Sequence, residues 1–290
     1  MKRTKRVLGL ALAAVMCMGL LAGCGGTPSN SDTADETSGT ETSEKVLNIA
    51  TIGETTTLSP LYMIADNRPT QKLLYEGLVK YVDGEIQPVL AEDWELSEDG
   101  TQLTFYLRQG VTFHDGEPFN AEAAIANIES WHINPSFASL PGVVNYTNIE
   151  AVDEYTIRLT YDTPYFAYIN DFCWPDVCTM ISPKLITQGD FQTVNGYAGT
   201  GPYVYDEYVA GQYTTFVRNE NYWGEQPYYD KIVAKYIPDN ASRVQALQTG
   251  EIDLIYGSAE LSYEDYNQAT AIEGIEGKFA PSGSTIRNMI

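Results

Sequence analysis

The scarcest chemistry-bearing side chains here are two histidines, and one stands in GVTFHDGEPFNAEAAIANIE, residues 110–129. His114 is followed directly by Asp115, with Glu117 two further on. An imidazole beside carboxylates is the material of general acid–base catalysis or of a metal site. Either use needs a third party, a nucleophile or a cation, on which the groups converge. Adjacent residues do not converge of themselves, and the local sequence offers them another use. Val111 and Phe113 end a strand pattern, and His114-Asp115-Gly116 is a turn tripeptide. Asn120 then caps the helical run AEAAIANIESW, with Glu122 in the first turn, where the helix dipole favours an acid. The reading is a turn followed by a capped helix. His132 is isolated on that same predicted helix.

Other machinery is absent from the sequence. There is no HExxH, GxSxG or GxxxxGK[ST] pattern. Gly199-Thr200-Gly201-Pro202 begins like a dinucleotide loop but lacks the third glycine, and Pro202-Tyr203-Val204 opens a strand, not a helix. Carboxylates are numerous, yet nothing singles out a glycosidase pair. No catalytic residue, metal ligand or cofactor is assigned. Of four cysteines, Cys173 and Cys178 lie in DFCWPDVC, where a disulfide and a pair of buried thiols are both open.

The 290 residues suffice for one large domain or two smaller ones, and 43% hydrophobic residues with 21 Tyr can fill a core and line a cleft. A formal charge of −22 argues against nucleic acid and anionic membranes as partners. The basic MKRTKR followed by VLGLALAAVMCMGLLAG has the form of a secretory signal peptide. Leu21-Ala22-Gly23-Cys24 resembles a bacterial lipobox, which implies cleavage before Cys24 and lipidation of its thiol. Residues 25–45, GGTPSNSDTADETSGTETSEK, are small, polar or acidic and read as a flexible tether. A lipid followed by a tether implies a folded body working just outside a membrane.

The elements follow from pattern. VLNIATIG, residues 46–53, predicts an opening strand, and PTQKLLYEGL a helix starting at Pro69. Asp83-Gly84 and Asp99-Gly100 mark hairpins between apolar runs. NIEAVDEYTIRLTYDT carries two alternating runs around Asp153-Glu154, and Ala210-Gly211 joins two further strands. PYFAYINDF and SPKLI read as short helices, YYDKIVAKYIP and EIDLIYG as strands. DNASRVQALQTG is a helix capped by Asp239 or Asn240 and ended by Gly250.

Four stretches in order carry a resemblance. They are PVLAEDWELSEDGTQLTFYLRQGVTFHDGEPFNAEAA; GTGPY at 199–203; RNENYWGEQPYYDKI at 218–232; and ALQTGEIDLIYG at 246–257. Together they resemble the extracellular solute-binding proteins of ABC importers, family 5, which serve oligopeptides, dipeptides and nickel. AEAA, VRNENYWGE and TGEIDLIYG look nearest to the nickel-binding branch. The resemblance implies an α/β fold of the type II periplasmic-binding-protein kind: a two-lobe clamp with mixed sheets that closes on a solute and docks on a permease. FHDG is architectural in that family. The chain stops at Ile290, a little past half the family's usual length, so only the first lobe is expected to be largely present, and a lone lobe is expected to bind weakly.

The expected organisation is a lipoprotein signal peptide at 1–23, then lipidated Cys24 and an acidic linker at 24–45. A sheet domain follows at 46–77 and 191–268, with an inserted subdomain at 78–190 and a crossover beginning at 269–290. By analogy with the family, the loop after the first strand offers Tyr62, Met63, Ile64 and Arg68 to the ligand, and the segment after the AEAA helix offers Phe137 and Leu140. The nickel branch uses Arg in that segment and near Asp176 to hold a carboxylate-rich chelator. No Arg lies between Arg108 and Arg158 here, and DFCWPDVCTM has none. The expected partners are a permease of the cytoplasmic membrane, membrane lipid through Cys24, and a peptide or metal chelate held by a monomer. A sensing receptor of the same fold and an anchored hydrolase stand as the other readings.

Overall fold

Apolar runs broken by turn residues become short strands, and the strands are tied together far along the sequence. A computed structural model describes residues 44–62, 68–174, 178–186, 196–256 and 261–278. Along the chain the strands are β1 (Val46–Thr51), β2 (Val79–Val82), β3 (Glu85–Pro88), β4 (Ala91–Leu96), β5 (Gln102–Leu107), β6 (Tyr146–Asp153), β7 (Thr156–Tyr161), β8 (Tyr203–Val209), β9 (Tyr213–Arg218), β10 (Lys231–Tyr236) and β11 (Leu254–Ile255). The helices are α1 (Arg68–Leu74), α2 (Ala121–His132), α3 (Pro141–Val144), α4 (Tyr168–Phe172), α5 (Asn240–Gln248) and α6 (Tyr263–Thr270).

β1 pairs in parallel on both sides, with β10 (Ile49 opposite Ala234) and with β11 (Ala50 opposite Ile255). The sheet continues antiparallel through β9 to β8, giving the order β11-β1-β10-β9-β8. Residues between α1 and β8 build a second, antiparallel sheet of order β4-β5-β7-β6 and a separate β2–β3 hairpin. The α/β class with a mixed sheet is therefore the one expected.

Local signals placed several elements. At the β2–β3 turn Asp83 has φ 52° and Gly84 φ 91°, the left-handed pair that suits the twist of a two-residue hairpin. The Asn120 side chain accepts from Ala123 N–H at 3.0 Å, capping α2. Asp239 caps α5 through Ser242 N–H at 2.8 Å, and Gly250 ends it with φ 72°. EIDLIYG pairs over only two residues. Just before it, Asp253 N–H donates to Asn48 O at 2.8 Å and the Asp253 carboxylate takes the Asn48 N–H at 2.8 Å, so a backbone bond and a side-chain bond extend the pairing.

The larger core lies between α2 and the inserted sheet. Ala121, Ala124, Ile128 and Trp131 share one buried face of α2, and Phe105, Ile157 and Leu159 meet it from β5 and β7. Trp131 lies flat on Phe137, with centroids 5.8 Å apart and planes 5° from parallel. A fully buried ring of this size contributes on the order of 3 kcal/mol. A smaller core joins α1 to the mixed sheet through Leu74, Tyr75, Ile49, Phe216 and Ile232.

Candidate functional site

His114 links two stretches far apart in sequence. Its backbone N–H donates to Gly199 O at 2.8 Å. Its ring nitrogen Nδ1 accepts from Gly199 N–H at 3.3 Å, and Nε2 lies 3.0 Å from Gly201 O. An accepting Nδ1 places the proton on Nε2, so the neutral ring uses both nitrogens on backbone. Burial pushes the His114 pKa below the ordinary histidine value, which favours that neutral form. Asp115 turns instead to Glu117 N–H at 3.2 Å, and the Glu117 carboxylate pairs with Lys184. The three groups do not converge. His114 is a staple holding the FHDG turn to the GTGPY stretch, so the sequence-level preference for a turn over a catalytic pair stands.

The loop after β1 is a second stretch held from distant parts of the chain. In open α/β sheets ligands lie beyond the carboxyl ends of parallel strands, and the chain leaves β1 at that end into the loop 52–62. Leu58, Ser59 and Leu61 are buried there. Two buried amides grip the loop's carbonyls: Gln71 Nε2, on α1, donates to Ser59 O at 2.8 Å, and Asn134 Nδ2 donates to Leu61 O at 2.9 Å. Tyr62 follows, half-buried. The Asn134 bond joins the loop after β1 to the segment after α2, the two regions from which candidates were drawn.

Two of those candidates need correction. Phe137 is 0% exposed and Leu140 4%, and both belong to the larger core. A side chain facing an open cleft would be accessible here. The segment runs through a 3-10 turn (Pro135–Phe137), so with a period of three Asn134, Phe137 and Leu140 all point inward. The outward phase carries Ile133, Pro135, Ser136, Ala138 and Ser139, and Ile133 is 56% exposed beside Asn134. Phe137 and Leu140, offered to the ligand by analogy with the family, are core residues in this structure. Arg68 opens α1. Met63, Ile64, Cys24 and Asp176 lie outside the described residues.

Cys173 and Cys178 are free, buried thiols and not a disulfide. Cys173 Sγ donates to Ile169 O at 3.4 Å and Cys178 Sγ to Asp171 O at 3.3 Å, so each thiol is turned to a different carbonyl at the end of α4. Burial pushes the Cys173 thiol up to about 11, away from the reactive thiolate.

One polar cluster went unforeseen. The partly buried Glu76 carboxylate accepts from Tyr222 Oη at 2.7 Å, Trp223 Nε1 at 2.7 Å and Thr200 Oγ1 at 2.9 Å. The Arg108 guanidinium lies 4.4 Å from the Trp223 ring centre. Burial raises the Glu76 pKa despite the three donors. Both of its oxygens accept from these donors, which makes it a joint between α1 and two later stretches. Among the described residues no three His, Cys, Asp or Glu side chains are grouped to hold a metal ion. Nor is any described helix long and apolar enough to cross a membrane.

Comparison with known proteins places this geometry. The family profile "Bacterial extracellular solute-binding proteins, family 5 Middle" matches residues 85–287. The nickel-binding periplasmic protein of Escherichia coli K12 is 37% identical over 209 residues, 70% of this chain and 40% of that protein. The glutathione-binding protein GsiB of Pectobacterium atrosepticum is 34% identical over 219 residues, 72% of this chain and 41% of that protein. Among solved structures, NikA of Brucella suis in complex with Fe(III)-EDTA superposes with a TM-score of 0.72 at 34% identity, covering 78% of this chain and 46% of that one. The chain thus spans about two fifths of the length of the curated relatives it matches.

Proposed function

Because the chain belongs to the bacterial extracellular solute-binding proteins of family 5, we propose that its described body is one solute-gripping lobe of an ABC importer's receptor, a binder and not an enzyme. The observation that carries this is the stretch 52–62, held by two buried amides at the carboxyl end of β1 and carrying Tyr62. The face made with the segment after α2 would offer Tyr62, Ile133, Ser136 and Ser139; residues 52–62 and 133–140 contain no Lys or Arg, which leaves Arg68, at the start of α1, as the one guanidinium among the loop candidates. A guanidinium fork is the natural grip for several carboxylates. An aromatic, aliphatic and hydroxyl face suits a short peptide better than a carboxylate-rich chelate.

The test is a set of amide-resonance titrations of the 290-residue chain at millimolar solute, with a dipeptide, glutathione, nickel–histidine and Fe(III)-EDTA. The expected result is peptide-induced shifts at residues 52–62 and 133–139, and smaller ones with Fe(III)-EDTA. Shifts confined to other parts of the chain, or none with any solute, overturn the reading.

The same reading places the body outside the cytoplasmic membrane, anchored through Cys24 and passing solute to a permease. Support comes from where the chain enters the fold. Lys45 N–H donates to Asp230 Oδ2 at 2.7 Å, Asp230 N–H returns to Lys45 O at 2.8 Å, and the Lys45 ammonium sits 4.1 Å from the Tyr228 ring centre. That staple lies at the amino end of β1, opposite the loop 52–62. In cells fed a labelled fatty acid, the protein should take up label, and Cys24→Ser should abolish it. Equal labelling of the two sinks the anchor.

A further inference from the structure

Asn134 is 2% exposed, and its side chain is committed at both ends. Oδ1 accepts from Ser136 N–H at 3.0 Å, which caps the 3-10 turn. Nδ2 donates to Leu61 O at 2.9 Å, 73 positions earlier in the chain. A second buried asparagine, Asn127, stands seven residues before it, about two helical turns. Asn127 Nδ2 donates to Ala123 O and Ile181 O, and its Oδ1 accepts from Ile181 N–H, each at 2.9 Å. The α2 region thus extends two amides to two different distant segments, and only the Asn134 amide reaches the loop after β1.

We infer that Asn134 is the positioning residue of the solute face: by fixing the Leu61 carbonyl it sets where Tyr62 presents its ring. The inference rests on the reading of that face given above. Gln71, on the neighbouring α1, holds Ser59 from 12 positions away. The Leu61–Tyr62 step is held locally by Ser59, whose Oγ takes Leu61 N–H and whose O takes Tyr62 N–H, each at 3.3 Å, and its Leu61 carbonyl is held across the fold from the segment after α2. Without the Nδ2 donor a buried carbonyl loses its partner, and such a group moves toward water unless it is re-paired. The response therefore falls on the loop that carries Tyr62.

Three variants of the 290-residue chain separate positioning from general stability: Asn134→Ala, Asn134→Asp and Asn127→Ala. Amide hydrogen exchange is read without solute, and the peptide titration is then repeated. Both Asn134 variants should speed exchange at Leu61 and Tyr62 by about ten-fold or more, and weaken the peptide response at Tyr62. Asn127→Ala should lower Tm and change neither. Asn134→Asp keeps an oxygen for Ser136 N–H, and at acidic pH its protonated carboxyl regains a donor for Leu61 O, so protection should return as pH falls. Unchanged exchange at Leu61 and Tyr62 in both Asn134 variants, or equal acceleration by Asn127→Ala, overturns the inference. The exchange readout involves no solute, so it stands or falls apart from the shifts that test the binding face.

Discussion

Gly199→Ala loses about 3 kcal/mol or more of stability, read as an earlier midpoint in urea unfolding followed by circular dichroism. A Cβ at Gly199 would sit 2.0 Å from Leu74 O and 2.6 Å from Tyr75 Cδ1. Leu74 O is backbone at the end of α1, so no rotamer change relieves the contact, and it already accepts Gly201 N–H at 2.9 Å. From the other side His114 binds Gly199 O and N–H, and the Asn219 side chain takes Gly201 O at 3.0 Å. The GTG step is clasped by α1, the FHDG turn and the start of the NENYW stretch, and cannot shift from one without leaving another. Gly211→Ala is the contrast. That residue has φ 69° and nothing within 4 Å of its Cβ position, so only the left-handed backbone is taxed, by about 1 kcal/mol. A Gly199→Ala midpoint as mild as that of Gly211→Ala would mean that α1 and the GTG step do not approach this closely.

The same clasp shows which parts of the molecule can be read from sequence. Signals confined to a few neighbouring residues translated directly. Asp83-Gly84 made its hairpin, Asn120 and Asp239 capped their helices, and His114-Asp115-Gly116 made its turn, because each outcome is decided by local dihedrals and one short hydrogen bond. GTGPY was recognisable as a motif, but its reason is contact with Leu74 and His114, 125 and 85 positions away. Nothing local encodes that distance. The segment after α2 failed differently. INPSFASL has too few apolar residues to declare a phase, and Asn134 resembles a solvent-facing amide until its bond to Leu61 O is known. Phe137 and Leu140 are offered to a ligand only by analogy with the family, and an apolar residue on a loop fits a cleft and a core equally well. Only the 3-10 geometry decides between them. Glu76 gave least warning: a lone acid in KLLYEGLVK reads as surface, and its three donors stand 124 to 147 positions later.

Glu76 accordingly gives the other large effect, and its two substitutions should part company. Glu76→Ala strips the acceptor from three donors at once. The Thr200 and Tyr222 hydroxyls can turn to other partners, but the Trp223 indole N–H is fixed by its ring, and Arg108 stacks on that ring. The expected loss is about 3 kcal/mol. Glu76→Gln keeps an oxygen for Trp223 and Thr200, and its amide N–H can donate to a Tyr222 hydroxyl that reverses its role. At neutral pH that exchange should cost about 1 kcal/mol or less, because the charge that burial penalises is also removed. The pH dependence separates the two effects. Burial raises the Glu76 pKa from the ordinary 4.5, so in the window above 4.5 the folded chain holds a proton that the unfolded chain has released. That contribution is complete below the ordinary value and declines as pH rises through the folded one. Urea unfolding of the parent and Glu76→Gln between about pH 4 and about pH 7 should therefore show a gap that moves in favour of the glutamine variant as pH rises. A constant gap across that range would mean that the carboxylate is as well solvated in the joint as in the open chain. The Tyr222, Trp223 and Thr200 donors would then compensate burial fully, and Glu76→Ala would remain the only substitution there with a large effect.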